Sequence, residues 1–430
     1  MNGVVVVGGA GHRPVHAFAR EASRLRDRER LAVGSAVAAI ALLPLLRPAG
    51  PSNSALIDAF IVLTLLAALV WLASSRRRIR LPCAIPLGLI LLGGAVGALT
   101  GPVPASGVVA LVQDIALVFW FWAVINIGSS PDRLQVIFRA WAYASIAWAL
   151  ILLAAIAAGV TAISGQTESE GVRSALTFGN PNVAGNYFFI AIMIVWATGR
   201  PHHRLARLAG YAALLAALAS TGSNGALVSI TVGVIVASIL GVYRRAGVVA
   251  AATALAGVAL AGAVVTTQFS VEDVQARASR SSYAFIRDGV GRSAKTASDR
   301  ALLFHQGVDL YHTGGLLGTG PGSTKVRLKA EGARRAVEAH NDYVAAVTER
   351  GILGLLGLLL LVGGIALQAL WLARAQASPR IAHAVVRPNA LAGAVAGALV
   401  AMSTTEYFHA RHVWTLFAFV VAAVLVARDP

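Results

Sequence analysis

The chain has few charged residues and a single cysteine for its length. Charged side chains make up only 13% of the 430 residues, whereas hydrophobic ones make up 57% and the mean hydropathy is +0.71. Ordinary soluble domains are about 25% charged, so this composition excludes that class and favours a membrane protein with many spans. The lone Cys83 also rules out an internal disulfide.

Acidic residues are scarce as well. The sequence has 19 Asp and Glu residues against 36 Lys and Arg, which gives a formal net charge of +17. An excess of this kind indicates nucleic-acid binding only when it forms a basic soluble face or a patch interleaved with aromatic residues. Here the basic residues come mostly in short clusters between apolar runs, as in the cytoplasmic loops of membrane proteins. We therefore predict no nucleic-acid partner.

The N-terminal segment carries no convincing signal of its own. Residues 4–11 resemble the strand and glycine turn of a dinucleotide site, but a basic, polar stretch follows where a helix should begin. The apolar run is also too short for a cleaved signal peptide. We predict that residues 1–30 form a basic cytoplasmic leader.

Long apolar runs make up most of the remaining chain. A helix needs about 20 apolar residues to cross a bilayer, and roughly twelve runs approach or reach that length. The predicted fold is an all-α membrane protein with nine spans in residues 31–265, a large extracytoplasmic loop at 266–340 and three spans in 341–430. The spans are placed at 31–47, 54–74, 82–100, 106–127, 134–159, 183–199, 205–220, 223–243, 246–265, 341–372, 388–404 and 413–427.

The arginine clusters predict which way the protein faces. With this count of spans, the clusters fall on the same side as the basic leader, so both termini are expected in the cytoplasm. These clusters lie at 76–78, 200–207, 244–245, 374–387 and 428. The gaps that then face outward are 48–53, 101–105, 160–182, 221–222, 266–340 and 405–412.

The first polar outward segment contains Arg173 and the turn Asn180-Pro181-Asn182. Such a turn can cap the helix that starts near Val183, and this structural role explains both asparagines. It does not explain Arg173, which lies one short loop before the membrane surface.

The second segment is the long loop. Arg300 opens an amphipathic helical pattern that continues to Leu310, and a glycine-rich turn follows at 317–322. The N–H groups of such a turn can bind an anion, although a simple flexible turn is the more common explanation for an isolated glycine run. The outer loops contain one tight acidic pair, Glu168 and Glu170, which suits a solvated surface better than a metal site.

The third segment is His340-Asn341, where the loop returns to apolar sequence and meets Gly351-x-x-Gly354. On one continuous helix His340, Gly351 and Gly354 share a face suited to close packing below a histidine. A simpler interpretation is that His340 or Asn341 caps the helix.

Two charged residues, Glu349 and Arg350, lie inside this apolar span. Burying a charge at that depth in a membrane costs free energy unless the charge is paired or hydrated. They are expected to pair with each other or with Asp114, which is similarly placed in the fourth span.

Together these motifs resemble the O-antigen ligase and polymerase superfamily of bacterial membrane glycosyltransferases. The family's large outward loop ends in His-Asn/Ser/Gln, nine residues and Gly-x-x-Gly, which His340-Asn341 and Gly351-x-x-Gly354 match. Its Arg before a Phe-x-Asn/Asp-Pro-Asn turn is similar to Arg173 before 178–182, and its loop arginine and Leu-Gly-x-Gly-Pro-Gly turn are similar to Arg300 and 317–322. Where many members have Ser-Arg-Gly, this chain has Ser-Asn-Gly at 223–225. The resemblance covers roughly residues 165–357.

The resemblance implies a GT-C-like architecture in a bacterial inner membrane. It also implies transfer of a glycan from an undecaprenyl (polyprenyl) diphosphate carrier to an acceptor hydroxyl outside the cytoplasm, without a cofactor. The acceptor would be a glycan, a lipid or a protein. A flippase for lipid-linked oligosaccharides, or another secondary transporter, is the alternative that the charges inside the spans favour.

Site residues follow from the same resemblance. The candidate catalytic residues are His340, Arg173 and Arg300, and the candidate substrate-binding residues are Asn341, Asn180, Asn182, His305, Gly320 and Gly322. The arginines would stabilise the charge on the diphosphate leaving group. His340 would either deprotonate the acceptor hydroxyl or hydrogen-bond the diphosphate. Arg173, Arg300 and His340 are expected to converge on one outward-facing cavity.

Overall fold

The computed structural model describes residues 15–47, 54–75, 78–167, 171–268, 270–283, 287, 293–332, 340–374 and 378–429. All regular structure in these ranges is helical, as predicted. We number the helices α1 Val15–Ala41, α2 Leu56–Ser75, α3 Ala84–Thr100, α4 Pro104–Ile127, α5 Pro131–Ala157, α6 Thr161–Ser164, α7 Pro181–Thr198, α8 Arg204–Ser220, α9 Asn224–Gln268, α10 Val271–Ser279, α11 Ser293–Gly314, α12 Thr324–Ala330, α13 Asp342–Arg374, α14 Pro379–Ala382, α15 Pro388–Met402 and α16 Arg411–Arg428. A 3₁₀ turn, Leu176–Phe178, precedes α7.

Within those ranges, 7 helices are long and apolar enough to cross a membrane, namely α2, α4, α5, α7, α9, α13 and α16, and α3 and α15 are shorter apolar helices. The count of twelve spans therefore stays a prediction. The predicted spans 223–243 and 246–265 both lie in α9, which consists of two helices that meet at a kink. Gly247 breaks this element with φ 83° and ψ −177°, a conformation that glycine adopts without strain.

Helices α7 and α16 lie at the centre of the bundle. Their apolar windows are 83% and 78% buried, against 28% for α9. Aromatic rings fill the space between them and α5, with the Trp141 and Phe419 ring centroids 5.3 Å apart and Tyr187 stacked on Trp141. The exposed apolar faces of the outer helices are those expected to meet lipid.

Glycines allow α3 to pack directly on the backbone of α13. A Cβ added at Gly93 would lie 2.5 Å from the carbonyl oxygen of Arg350, and one added at Gly97 would lie 2.6 Å from that of Glu349. Such close approach between membrane helices requires residues without side chains. The helix α3 therefore supports the part of α13 that carries the two buried charges.

Residues of two predicted inner gaps contact other segments of the chain. Arg80 pairs with Asp429 at 3.1 Å, and the backbone N–H of Arg387 donates to the carbonyl oxygen of Ala197 at 2.9 Å. Residues of the predicted outer gaps also contact one another, since the Tyr407 hydroxyl donates to the carbonyl oxygen of Asn182.

Candidate active site

The glycine-rich turn docks on a break in α13. Gly351 has φ 66° and ψ −166°, which interrupts the helix and leaves backbone groups without helical partners. The turn supplies those partners, since the N–H of Ile352 donates to the Leu316 carbonyl at 3.0 Å and the N–H of Thr319 donates to the Thr348 carbonyl at 2.9 Å. The prediction of one continuous helical face from His340 to Gly354 is wrong, because α13 begins after His340 and breaks at Gly351.

Glu349 holds the other end of the turn. Its carbonyl oxygen accepts the N–H of Gly320 at 2.9 Å, and its carboxylate accepts the N–H of Gly322 at 2.8 Å and the hydroxyl of Thr324 at 2.7 Å. Both glycine N–H groups are thus used inside the protein. Binding of a substrate by Gly320 and Gly322 stays a prediction, while their structural role is to fasten the turn.

Replacing Gly351 with alanine should destabilise the protein by about 2 kcal/mol or more, because a side chain is strained at this φ and must also displace backbone. The added Cβ would lie 2.3 Å from the carbonyl oxygen of Leu316. Gly364→Ala is the matched control in the same helix, where a Cβ meets nothing within 4 Å. Thermal unfolding in detergent should show a lower midpoint for Gly351→Ala alone. Equal midpoints would contradict the docking role.

The buried charges pair as predicted. A guanidinium nitrogen of Arg350 lies 2.8 Å from an oxygen of Asp114, and another lies 3.6 Å from Glu349. The side chains of Arg350 and Asp114 are 4% and 1% exposed, and the Arg350 guanidinium also lies over the ring of Phe408 at 4.8 Å. These contacts join α4, α13 and the loop that precedes α16.

His340 occupies a strained position directly before α13. Its φ is 50°, in the left-handed region that few residues other than glycine adopt, and its side chain is half-buried. The next residue, Asn341, caps α13, because its side-chain oxygen accepts the N–H groups of Tyr343 and Val344 at 2.9 and 3.1 Å. The Asn341 side-chain amide also donates to the Ser403 carbonyl at 3.1 Å. The capping role suggested by the sequence therefore belongs to Asn341.

Arg173 is buried and held by groups from two other segments. It donates to the Thr221 carbonyl at 2.9 Å and to the side-chain oxygen of Asn182 at 3.0 Å. Ser223 donates to the same oxygen at 3.1 Å. Asn182 thus orients Arg173, while Asn180 caps α7 by accepting the N–H of Asn182 at 2.8 Å.

The loop before α16 links Arg173 to His340. The Tyr407 hydroxyl donates to the carbonyl oxygen of Asn182 at 3.0 Å, and its backbone N–H donates to the Asp342 carboxylate at 2.8 Å. Arg173 donates a hydrogen bond to Asn182, and Asp342 lies two residues after His340. The loop therefore connects the surroundings of Arg173 with those of His340.

The remaining predicted residues lie on α11. The backbone of Arg300 is helical there, but its side chain lies outside the described residues. His305 is exposed on the same helix. The convergence of Arg300 with Arg173 and His340 stays a prediction.

A cavity of about 770 Å³ is lined by the candidate residue Asn180 and by the loop before α16, whereas Arg173 and His340 do not line it. One end is polar and the other is an apolar wall from α2 and α4. The polar lining includes Arg47, Asp58, Asn180, Glu406, His409 and Arg411, and the apolar lining includes Ile61, Val62, Leu65, Val108, Val109 and Val112. Val62 and Val112 are 52% and 59% exposed, so the wall lies open along the side of the bundle.

Apart from Asn180, sequence reasoning missed the residues at the polar end of this cavity. Arg411 pairs with Asp58 through two bonds of 2.7 Å, and His409 lies 2.9 Å from Asp114. A cluster of polar residues in the short outer gap at 405–412 could have indicated these site residues. Glu406, His409, Arg411 and His412 lie there within seven residues. Arg47, isolated at the end of the first span, gave no such signal.

In the described part of the chain, no group of three or more His, Cys, Asp or Glu residues is arranged to hold a metal ion. The acidic pair Glu168 and Glu170 lies outside the described residues.

One comparison with known families gives a match. Residues 209–359 match the family described as O-antigen ligase. The matched range runs from α8 past the break in α13 and includes Arg300, His340 and Gly351-x-x-Gly354, but neither Arg173 nor the loop before α16. No curated protein matches the sequence.

Proposed function

We propose that the chain is a member of the O-antigen ligase superfamily, which the match over residues 209–359 supports, and that it transfers a glycan from a polyprenyl diphosphate carrier to an acceptor hydroxyl. The family and the apolar helices support a membrane glycosyltransferase of the ligase or polymerase type. The lipid-linked donor, the extracytoplasmic site and the residue roles are our proposal.

The shape of the 770 Å³ cavity carries the proposal. A polyprenyl diphosphate has a long apolar chain and a strongly anionic head. The open wall of α2 and α4 suits the chain, and Arg47, exposed at the polar end, suits the head. Arginine is the side chain best suited to recognise phosphate, because it is always charged and donates from a planar fork.

In the reaction, an acceptor oxygen attacks the anomeric carbon and the bond from that carbon to the diphosphate oxygen breaks. The electron pair leaves with the diphosphate, and the hydroxyl proton passes to a base. Arg173 and Arg300 are proposed to stabilise the leaving group, and His340 to contact the reacting groups. No metal ion is needed when guanidinium groups neutralise the developing charge.

A reconstituted assay tests this function. The purified protein in liposomes would receive lipid-linked glycan extracted from cells in which its gene is deleted, together with extracts that contain the candidate acceptors. We expect release of polyprenyl diphosphate and appearance of the glycan on an acceptor, with full activity in EDTA. Absence of release with every acceptor fraction would reject the proposal, and loss of activity in EDTA would reject metal independence.

Arg173→Lys should lower kcat by about tenfold to a hundredfold, because lysine lacks the planar fork that arginine presents to phosphate and to its own partners. The guanidinium now bonds Thr221 and Asn182 at once, and an ammonium on a flexible stem cannot reproduce that geometry. Arg204→Lys, at an exposed arginine at the start of α8, should leave the rate unchanged. The activity of both variants is measured as the initial rate of polyprenyl diphosphate release. A wild-type rate in Arg173→Lys would remove Arg173 from the mechanism.

A transporter is less well supported. Asp114 and Glu349 each lie close to Arg350, and Glu349 also fastens the glycine-rich turn, so structural pairing explains these charges without a transport path. In the same liposomes, movement of the lipid-linked glycan across the bilayer without bond cleavage would favour the transporter instead.

A further inference from the structure

A second hollow lies between the kink of α9 and the C-terminal end of α13. Its volume is about 400 Å³, and it is lined by Tyr243, Arg244, Gly247, Val248 and Arg374. None of these residues lines the cavity of about 770 Å³. The hollow is therefore a separate feature, and its ligand does not depend on the proposed function.

Two arginines give the hollow its charge. Arg244 lies in α9 just before the kink at Gly247, and Arg374 is the last residue of α13. In the described part of the chain no carboxylate lines the hollow, and neither guanidinium has a hydrogen bond or an ion pair. Two like charges that line one space repel each other, so the hollow favours a ligand of opposite charge.

The hollow opens onto surfaces that are expected to meet lipid. Val248, which lines it, is 68% exposed. On α13, Leu360, Leu367 and Arg374 follow one another at steps of seven residues, so they share one face of the helix. Both leucines are exposed, Leu367 by 69%. An apolar strip on α13 therefore ends in an arginine at the hollow, which is the pattern that a lipid with an anionic headgroup would match.

We propose that the hollow binds an anionic phospholipid, with the phosphate between Arg244 and Arg374 and the acyl chains along the exposed apolar strip. Arginine forms paired hydrogen bonds to phosphate oxygens, and the Tyr243 hydroxyl can donate another. Basic pockets between membrane helices are known to hold such headgroups. Because the two arginines come from different helices, the bound lipid stabilises the contact between α9 and α13.

The experiment measures lipid binding to the full-length protein in detergent by native mass spectrometry. The probes are phosphatidylglycerol, the zwitterionic phosphatidylcholine, and inorganic phosphate. We expect phosphatidylglycerol to bind most tightly and to raise the thermal unfolding midpoint, since a ligand of the folded state stabilises it. Arg244→Gln and Arg374→Gln should each weaken its binding about fivefold, the usual contribution of one basic residue to attraction by anionic lipid.

Arg245→Gln is the matched control. Arg245 is exposed and adjacent to Arg244 in the chain, but it does not line the hollow. The substitution removes the same charge from the same region, so it reports the general attraction of a basic surface for anionic lipid. This variant should bind phosphatidylglycerol as the wild type does. Without added lipid all three variants should unfold at the wild-type midpoint, because the replaced side chains are exposed.

Three results would overturn the proposal. The first is wild-type affinity for phosphatidylglycerol in both Arg244→Gln and Arg374→Gln. The second is an equal loss of affinity in Arg245→Gln, because the attraction would then belong to the basic surface as a whole. The third is binding of inorganic phosphate as tightly as phosphatidylglycerol, which would make the hollow a site for a soluble anion. Failure of the wild type to release polyprenyl diphosphate would reject the proposed function and leave this site unaffected.

Discussion

Replacing His340 with asparagine should reduce glycan transfer by at least about a hundredfold in a protein that still folds. Loss of a donor to the developing leaving-group charge costs about 10²–10³ in rate, and loss of a proton acceptor costs about 10²–10⁴, so either role predicts this effect. Asparagine is chosen because the backbone of His340 has φ 50° and asparagine tolerates that region better than most residues. The variant therefore removes the imidazole without adding backbone strain.

The measurement is the initial rate of polyprenyl diphosphate release, with the unfolding midpoint recorded for the same samples. His383→Asn, at the exposed histidine beyond α14, should behave as wild type in both. If His340→Asn instead transfers glycan at the wild-type rate, the match to the His-Asn motif reflects helix capping by Asn341 and nothing more. Undecaprenyl diphosphate binding distinguishes the two roles, since a diphosphate contact weakens binding and a proton acceptor does not.

Replacing Asp114 with alanine should destabilise the folded protein by about 3–5 kcal/mol. Removing one partner of a buried ion pair leaves the other charge without compensation, and that loss is larger than the pair itself contributes. Arg350 is 4% exposed, so water cannot take the place of Asp114. Glu349 lies 3.6 Å from Arg350 but already accepts bonds from Gly322 and Thr324. It therefore offsets only part of the effect.

A double replacement separates lost pairing from lost packing. Asp114→Leu together with Arg350→Met removes both charges and should recover most of the stability that Asp114→Ala loses. Equilibrium unfolding in mixed detergent micelles measures the three proteins. A double variant as unstable as the single one would show that the pair matters for hydrogen bonding or shape and not for charge compensation.

Several features could be read from local sequence because they depend on neighbours along the chain. The composition predicted an all-helical membrane protein, and the turn Asn180-Pro181-Asn182 predicted the start of α7. The cost of isolated charges in apolar sequence predicted that Arg350 would find Asp114, although 236 positions separate them. The motifs ending in Gly351-x-x-Gly354 predicted a family that the match over residues 209–359 supports.

Other features depend on contacts that no local pattern encodes. The glycines of 317–322 suggested a loop that could bind an anion, but the N–H groups of Gly320 and Gly322 bond to Glu349, next to the break that Gly351 makes in α13. The break itself arises from a positive φ that the sequence allows but does not require. Hydropathy did predict two spans that separate near Gly247, and α9 has a kink with a positive φ at that residue.

By itself, the sequence determined the class of protein, the helices and the motifs around Arg173, Arg300 and His340, since each depends on residue type at short spacing. The tertiary structure alone decided which of these residues meet which others. It showed that the short gap before α16 connects Asn182, Asp342 and Asp114, and that Arg47 and Arg411 share a cavity with His409. The physical reason is that burial and pairing of polar groups are satisfied by partners hundreds of residues away, which only the packing of the helices brings within bonding distance.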